Sequence, residues 1–453
     1  MTLMVPHRSG PKNKLPYEQM NDFRTVTVLE HQVIPVISED ELHSNTGLVS
    51  TGQPVFTEVE AQALMRINDL RRGFCQRVSG GVKLAQYCGI VRLKNCVLEV
   101  LPKIGMADVQ TADELAHSRA ALLTMLSSAR QLVITKVDTV PQHAVRAPLL
   151  DIFIEAFLNC ALEQARRGLL SRYVPHIDDL PVVKGRFLVQ GQLRRNVARP
   201  HLLHCEYDEF TADNSYNRVI RATLDVCRSW ISRPLTQRLW FETHTRFASI
   251  SAVCMTAADV QRLPRERITR RYDSLLIWCE WLLNMNSPAL SAGSAHAPGI
   301  LFDMNKLFEA HVGSLEEAAT GETRIVHRHG PVEALALCEE EDAFFLKPDI
   351  SVWHVGIGGI EGEIDRVLDA KWKRLNPHAN NWGIDEADIY QLLAYALRYR
   401  CLRMELVYPQ PDNMNSSSGM PPVFKIKAPV FAHGDSVSIK VRLVSFSALK
   451  SGA

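Results

Sequence analysis

The sequence predicts an α+β, multidomain protein with a β-rich amino-terminal module, a helical middle region and a carboxy-terminal α/β domain built on a mixed sheet. Three observations predict it. The chain has 453 residues, of which 46% are hydrophobic, enough for more than one core. β-like runs dominate as far as residue 104, and helical spacing dominates from 112 to 170. A stretch rich in Pro, Gly and Ser at 286–299 precedes a last segment in which helices and strands alternate. The expected divisions are a loose tail at 1–20, a β-rich module at 21–110, a middle region of helices and strands with basic segments at 111–298, and the α/β domain at 299–453.

Charge and cysteine usage narrow the class. Lys+Arg is 51 and Asp+Glu is 50, so neither an acidic solvating chain nor a uniformly basic nucleic-acid coat is possible, and any polyanion site must be a local patch. Of the 51 cations 15 are Lys and 36 are Arg, the side chain whose planar fork grips phosphate or carboxylate with two bonds. Ten cysteines contain no Cys-x-x-Cys pair, which argues against a zinc ribbon and for reduced thiols. The start, with Pro6, Pro11 and Pro16 and no apolar core, is read as a tail and not a leader. The most apolar stretch, 274–285, is interrupted by Glu280 and too short to span a bilayer, so a cytoplasmic protein without a membrane partner is expected.

In chain order, strands are expected at Thr25–Leu29, Val33–Ile37, Cys88–Arg92 and Val97–Leu101. Thr57 and Glu60 have capping-box spacing ahead of a helix over Ala61–Phe74. Helices follow at Ala112–Arg130 and Pro148–Leu170. Residues 181–205 hold Lys184, Arg186, Arg194, Arg195 and Arg199, and a second basic run holds Arg262, Arg265, Arg267, Arg270 and Arg271. Either run can meet phosphates or simply be a solvated surface. In the last domain the pattern gives a helix at Leu301–Ala319, paired strands at Asp349–Val355 and Arg366–Trp372, a helix at Asp385–Tyr399, and strands near Met404–Tyr408, Val423–Lys427 and Val437–Val444.

The chemistry concentrates in that domain. Side chains two apart on a strand share a face, so Asp369 and Lys371 project together while Leu368, Ala370 and Trp372 face the other way. If the paired strands meet, Asp349 joins them. Two carboxylates at one point repel unless a cation lies between them, and Mg2+ prefers such hard oxygen donors. Lys371 would then orient the attacking water and offset charge growing on a phosphate. The alternative is an ion-paired hairpin, because an acid-x-Lys tripeptide is common by chance. Asp388, Gln391 and Tyr395 form a polar stripe along the following helix, and Glu309 can supply a further carboxylate or be an ordinary flanking acid.

Pro348-Asp349, Asp369-Ala-Lys371 and the Gln391–Tyr395 step resemble the PD-(D/E)xK nuclease core with the Gln-x-x-x-Tyr helix of its RecB-like branch. Further stretches, Leu98–Lys103, Gly185-Arg186, Cys205–Asn217, Asn305–Glu309, Asp369–Lys373, Asp388–Tyr395 and Leu406–Pro409, resemble the McrC family, nuclease subunits of the McrBC modified-cytosine restriction system. The resemblance spans residues 85–410. It implies a Mg2+-dependent DNA endonuclease working with an McrB-like AAA+ GTPase hexamer on double-stranded DNA carrying modified cytosine. In that reading Asp349, Asp369 and Glu309 hold the metal, Lys371 positions water, and Gln391 and Tyr395 orient the site. Lys184, Arg186, Arg194, Arg195 and Lys373 are the candidate DNA contacts. The chain contains no Gly-x-x-x-x-Gly-Lys loop, so nucleotide hydrolysis must come from the partner. The competing readings are a non-cleaving adaptor that activates the GTPase and a stand-alone RecB-like nuclease.

Overall fold

The computed structural model describes residues 24–38, 40, 53–93, 96–105, 111–130, 147–285, 299–321, 323–356, 361–411, 420–426 and 436–446. The expected tail and nearly all of the 286–299 linker lie outside them, as do residues 357–360 and 412–419. Among the described residues, ten helices and five sheets make a mixed α/β chain, as expected. It divides into two compact units, one around 157–287 and a larger one that gathers 26–94, 98–156 and 288–453.

In the larger unit, the amino-terminal part is β-rich with one helix. That helix, Glu58–Leu70, starts at the anticipated capping box: Glu60 N donates to Thr57 Oγ1, and Thr57 N donates to Glu60 Oε2 at 2.8 Å. Glu99, on the buried strand Cys96–Leu101, accepts two bonds from Arg119 (2.7 and 2.8 Å), one from Thr27 and one from Leu149 N. A buried acid is tolerable when every lone pair finds a donor, and this one ties two helices to the sheet.

The helix expected from Leu301 begins later. Residues Gly299–Asp303 form a strand paired antiparallel with Tyr87–Arg92, and the helix runs Met304–Ala319 with Asp303 capping it through Asn305 N. A short apolar run such as Ile300–Phe302 fits either state, and a partner about 210 residues away in sequence decides between them. Gly89 permits the pairing: its φ is +137°, and a Cβ there would sit 1.9 Å from Ile300 O. One sheet therefore joins the segments that the sequence reading places in separate modules, 21–110 and 299–453.

The carboxy-terminal sheet has six strands in the order Arg324–Arg328, Ile350–Val355, Glu361–Ala370, Arg403–Pro409, Ser438–Val444, Val423–Lys425. Ile350–Val355 pairs antiparallel with Glu361–Ala370, while Glu361–Ala370, Arg403–Pro409 and Ser438–Val444 run parallel, so the sheet is mixed as predicted. Parallel neighbours need a crossover, and the helix Glu386–Tyr399 supplies it. Its apolar side, Leu392, Tyr395 and Ala396, packs on Val367, Met404, Leu406 and Tyr408. The helix Met304–Ala319 also packs on Glu361–Ala370, and Phe308 lies 5.3 Å from the Trp372 ring.

The smaller unit is built on a long antiparallel ribbon, Arg172–Leu180 with Leu203–Thr211, and on the helices Ser215–Cys227, Pro234–Arg246 and Asp273–Met285. The Asn-rich stretch near 214 is architecture. Asn214 caps its helix and donates to Leu170 O, and Asn217 donates to Leu170 O and Ala212 O while accepting from Tyr272.

Candidate active site

The ladder that pairs Ile350 with Leu368 sets Asp349 across from Asp369 at its next step. Ala370 N donates to Asp349 Oδ2 at 2.9 Å, which fixes that carboxyl at the strand end. Asp369 is 1% exposed and lies on the face covered by the crossover helix. Lys371 follows the strand, with its N donating to Val407 O, and its Nζ stands 2.7 Å from Asp369 Oδ2. The two therefore share a face, as the two-residue spacing requires.

The helix Glu386–Tyr399 completes the lysine's surroundings. Lys371 Nζ donates to Gln391 Oε1 at 3.2 Å and lies 3.8 Å from Asp388 Oδ1. Gln391 Nε2 donates to Tyr395 OH at 2.7 Å, and Tyr395 OH donates to Lys347 O at 3.0 Å. This chain orients the amide so that its oxygen, not its nitrogen, faces the ammonium. Tyr395→Phe leaves the Lys347 carbonyl and one Gln391 N–H without partners, so a loss of about 1–3 kcal/mol is expected in denaturant unfolding; unchanged stability would show that the chain does not order the site.

Electrostatics mark the cluster. Burial, then the charges of Asp369 and Glu309, push the Asp349 carboxyl up to about 7. Burial likewise raises Asp369, with Lys371 opposing and Asp388 adding to the rise. Glu309 is raised by burial and by Asp369, against the pull of Lys347, Lys306 and Lys371. Burial alone would lower Lys371, but the carboxylates of Asp369, Asp388 and Asp349 outweigh it and raise the ammonium above its usual value.

The donor set suits a hard cation. Lys371 approaches Asp369 Oδ2 off the hydrogen-bonding direction, and among the described residues no donor reaches the buried Asp369 Oδ1. No three His, Cys, Asp or Glu side chains among those residues close into a coordination set. One or two carboxylates with waters completing the shell is the usual Mg2+ arrangement, so Asp349 and Asp369 fit it, with Glu309 nearby.

Of the six residues expected in the site, Asp349, Asp369, Lys371, Gln391 and Tyr395 converge directly. Glu309 lies within electrostatic reach of Asp349, and its Oε1 stands 2.7 Å from His329 Nδ1. Lys373 is held by Asp385 (2.6 Å) and Gly383 O. Lys184, Arg186, Arg194 and Arg195 belong to the other compact unit. There Lys184 Nζ sits 3.9 Å from the Tyr207 ring centroid, Arg186 is 3.8 Å from Glu206, and Arg194 and Arg195 are exposed.

Asp388 and His329 are two further neighbours of the site. Asp388 was legible as part of the polar stripe, three residues before Gln391. His329 gave no signal, because only the pairing of Arg324–Arg328 with Ile350–Val355 brings it beside the site, its N donating to Asp349 O at 2.8 Å.

A mixed sheet that brings two carboxylates, that of Asp369 buried, and a lysine together at one strand end defines a chain of the α/β class with an acidic site. The family model described as McrBC 5-methylcytosine restriction system component matches residues 82–409, most of the chain, and the protein belongs to that family. A refined half-complex from a tetradecameric assembly of Thermococcus gammatolerans McrB AAA+ hexamers with bound McrC is similar in fold. It has a TM-score of 0.63 and 18% identity, over 95% of this chain and 97% of that one. A cryo-EM structure of the Thermococcus gammatolerans McrBC complex matches at a TM-score of 0.45 and 19% identity, over 64% and 87%. No curated protein sequence is significantly similar to the chain. No helix among the described residues is long and apolar enough to cross a membrane.

Proposed function

We propose that the chain is the Mg2+-dependent endonuclease subunit of a GTP-driven restriction system, acting with an McrB-like AAA+ GTPase hexamer on DNA that carries modified cytosine. The observation that carries this reading is the meeting of Asp349, Asp369 and Lys371 around a buried carboxylate oxygen that no donor reaches among the described residues. Family membership and the McrB–McrC assembly named for the similar structure support the partner.

Asp349 and Asp369 would hold Mg2+, with Glu309 binding the ion or its waters. An ion held there would supply Lewis-acid chemistry, polarising a phosphate oxygen and acidifying water. Lys371, kept protonated by its carboxylate neighbours, holds water or a phosphate oxygen against the acids and offsets charge that grows on the phosphate. Gln391 fixes the lysine, and Tyr395 fixes Gln391.

Mixing the chain with its GTPase partner, GTP, Mg2+ and methylated DNA and resolving the products on a gel tests the reading. Cleavage that requires all four components is expected. Stimulated GTP hydrolysis with intact DNA would leave an adaptor, and cutting without the partner would leave a stand-alone nuclease.

A metal readout independent of cleavage follows from the raised carboxyls. Acids whose folded values lie above their unfolded ones give stability that is full below about pH 4 and is lost as pH rises through about 7, the value for Asp349. Mg2+ competes with protons for those oxygens. It should raise the melting temperature at pH 8 by about 1–2 °C per ~1 kcal/mol of binding linkage and do little at pH 5.5. Equal shifts at both pH values would count against this site.

A further inference from the structure

A cavity of about 560 Å3 is lined by Glu30, His31, Lys103, Trp372, Lys373 and Arg374, at the carboxyl ends of the parallel strands Glu361–Ala370 and Arg403–Pro409. Ligands of α/β sheets sit in that position, and the volume suits a small molecule. None of the roles assigned above uses Glu30, which is 2% exposed. Its Oε1 accepts from Trp372 Nε1 at 2.8 Å and from Lys103 N at 2.9 Å. Among the described residues no donor bonds to Oε2, and His31 Nε2 stands 3.9 Å away. A buried acceptor left unpaired is costly, so this oxygen calls for an N–H or O–H from a ligand.

The surrounding walls call for the opposite charge. Lys103, Lys373 and Arg374 line the cavity, and His31 is lowered by burial and then by the charges of Lys83, Arg374 and Lys103. Arg374 spends one of its five donors on Gly105 O, at 2.6 Å. The Trp372 ring packs in one cluster with Phe308 and Phe446, so that wall is fixed. A bare anion would confront Glu30, and a bare cation would confront Lys103 and Arg374, Lys373 being already held by Asp385. A ligand with a phosphate at one end and an N–H donor at the other satisfies both.

We propose that the cavity holds one deoxynucleotide of a DNA strand, its phosphate against Lys103 and Arg374 and the exocyclic amino group of its base against Glu30. A carboxylate accepting from cytosine N4 is the standard form of such a contact. That the strand is the one being cut rests on the nuclease reading; occupancy of the cavity does not.

Calorimetric titration of the full chain with dCMP, dTMP and inorganic phosphate tests it. The amino-bearing dCMP should bind at least about tenfold more tightly than dTMP or phosphate, the discrimination one base-edge contact gives. Glu30→Gln can still accept from Trp372 and Lys103 through its carbonyl while presenting its amide N–H to the cavity, so the preference should reverse toward dTMP. Arg374→Ala should weaken both nucleotides. Asp369→Ala should leave dCMP binding unchanged, so failure of the nuclease reading and failure of this one are told apart. A short thymidine oligonucleotide with one central cytidine should bind more tightly than dCMP; equal affinity would refute the strand assignment. Equal affinities for dCMP, dTMP and phosphate, or a dCMP dissociation constant above about 1 mM, would overturn the proposal.

Discussion

Asp369→Ala should lower cleavage by at least about 10^3-fold without unfolding the chain, since acids that hold the metal in such sites supply several kcal/mol of transition-state stabilisation. The fold should survive because the acid is no structural linchpin. Its Oδ1 takes no donor among the described residues, and Lys371, its close partner, keeps Gln391 and Asp388 when the carboxylate goes. Removing the charge also removes a repulsion that raises Asp349, so that carboxyl should ionise at lower pH. In the absence of metal the variant should therefore melt no lower than the wild type at pH 8, and the gain from Mg2+ should vanish. Association with the GTPase partner should persist in size-exclusion chromatography. Nicking by the variant at the wild-type rate, with the partner present, would remove Asp369 from the chemistry; loss of folded protein would instead make the acid structural.

How far the sequence could lead depended on the range of the interactions involved. The Thr57–Glu60 box, the Asp369–Lys371 step and the Asp388–Gln391–Tyr395 stripe are each fixed by local geometry, and the structure realises all three. Asp349 could be guessed because the antiparallel partner of its strand is close in sequence. What was not legible depends on distant pairing. His329, Lys347 and the Glu30–Trp372 bond arise from contacts between segments whose spacing carries no signal. Glu333–Cys338 and Glu341–Leu346 form a hairpin that expectation left blank, and there Leu337, Phe344 and Phe345 are exposed, so alternation does not sort inside from outside. The strand Gly299–Asp303 hides for a related reason: its apolar run suits a helix equally well until Gly89 offers it an edge.

Lys371→Ala should separate binding from turnover. The ammonium is raised by Asp369, Asp388 and Asp349 despite its burial, so it is a cation throughout the neutral range. It cannot serve as a general base there, because a base must hold a free lone pair at the working pH. In the proposed mechanism its part would be that of a charged donor, orienting water or a phosphate oxygen and opposing the negative charge that builds in the transition state. Loss of such a preorganised donor typically costs roughly 10^2–10^3-fold in turnover. Metal binding should persist in the variant, since Asp349 and Asp369 remain and the cation that competed with Mg2+ for Asp369 is gone. The Mg2+-induced rise in melting temperature at pH 8 should therefore equal or exceed that of the wild type while cleavage nearly stops. A lysine acting as base would give a different signature, a wild-type rate that climbs with pH toward the lysine's own range; a protonated donor predicts no such climb. Undiminished turnover in Lys371→Ala, or loss of the Mg2+ shift along with activity, would show that the lysine does not act in this way.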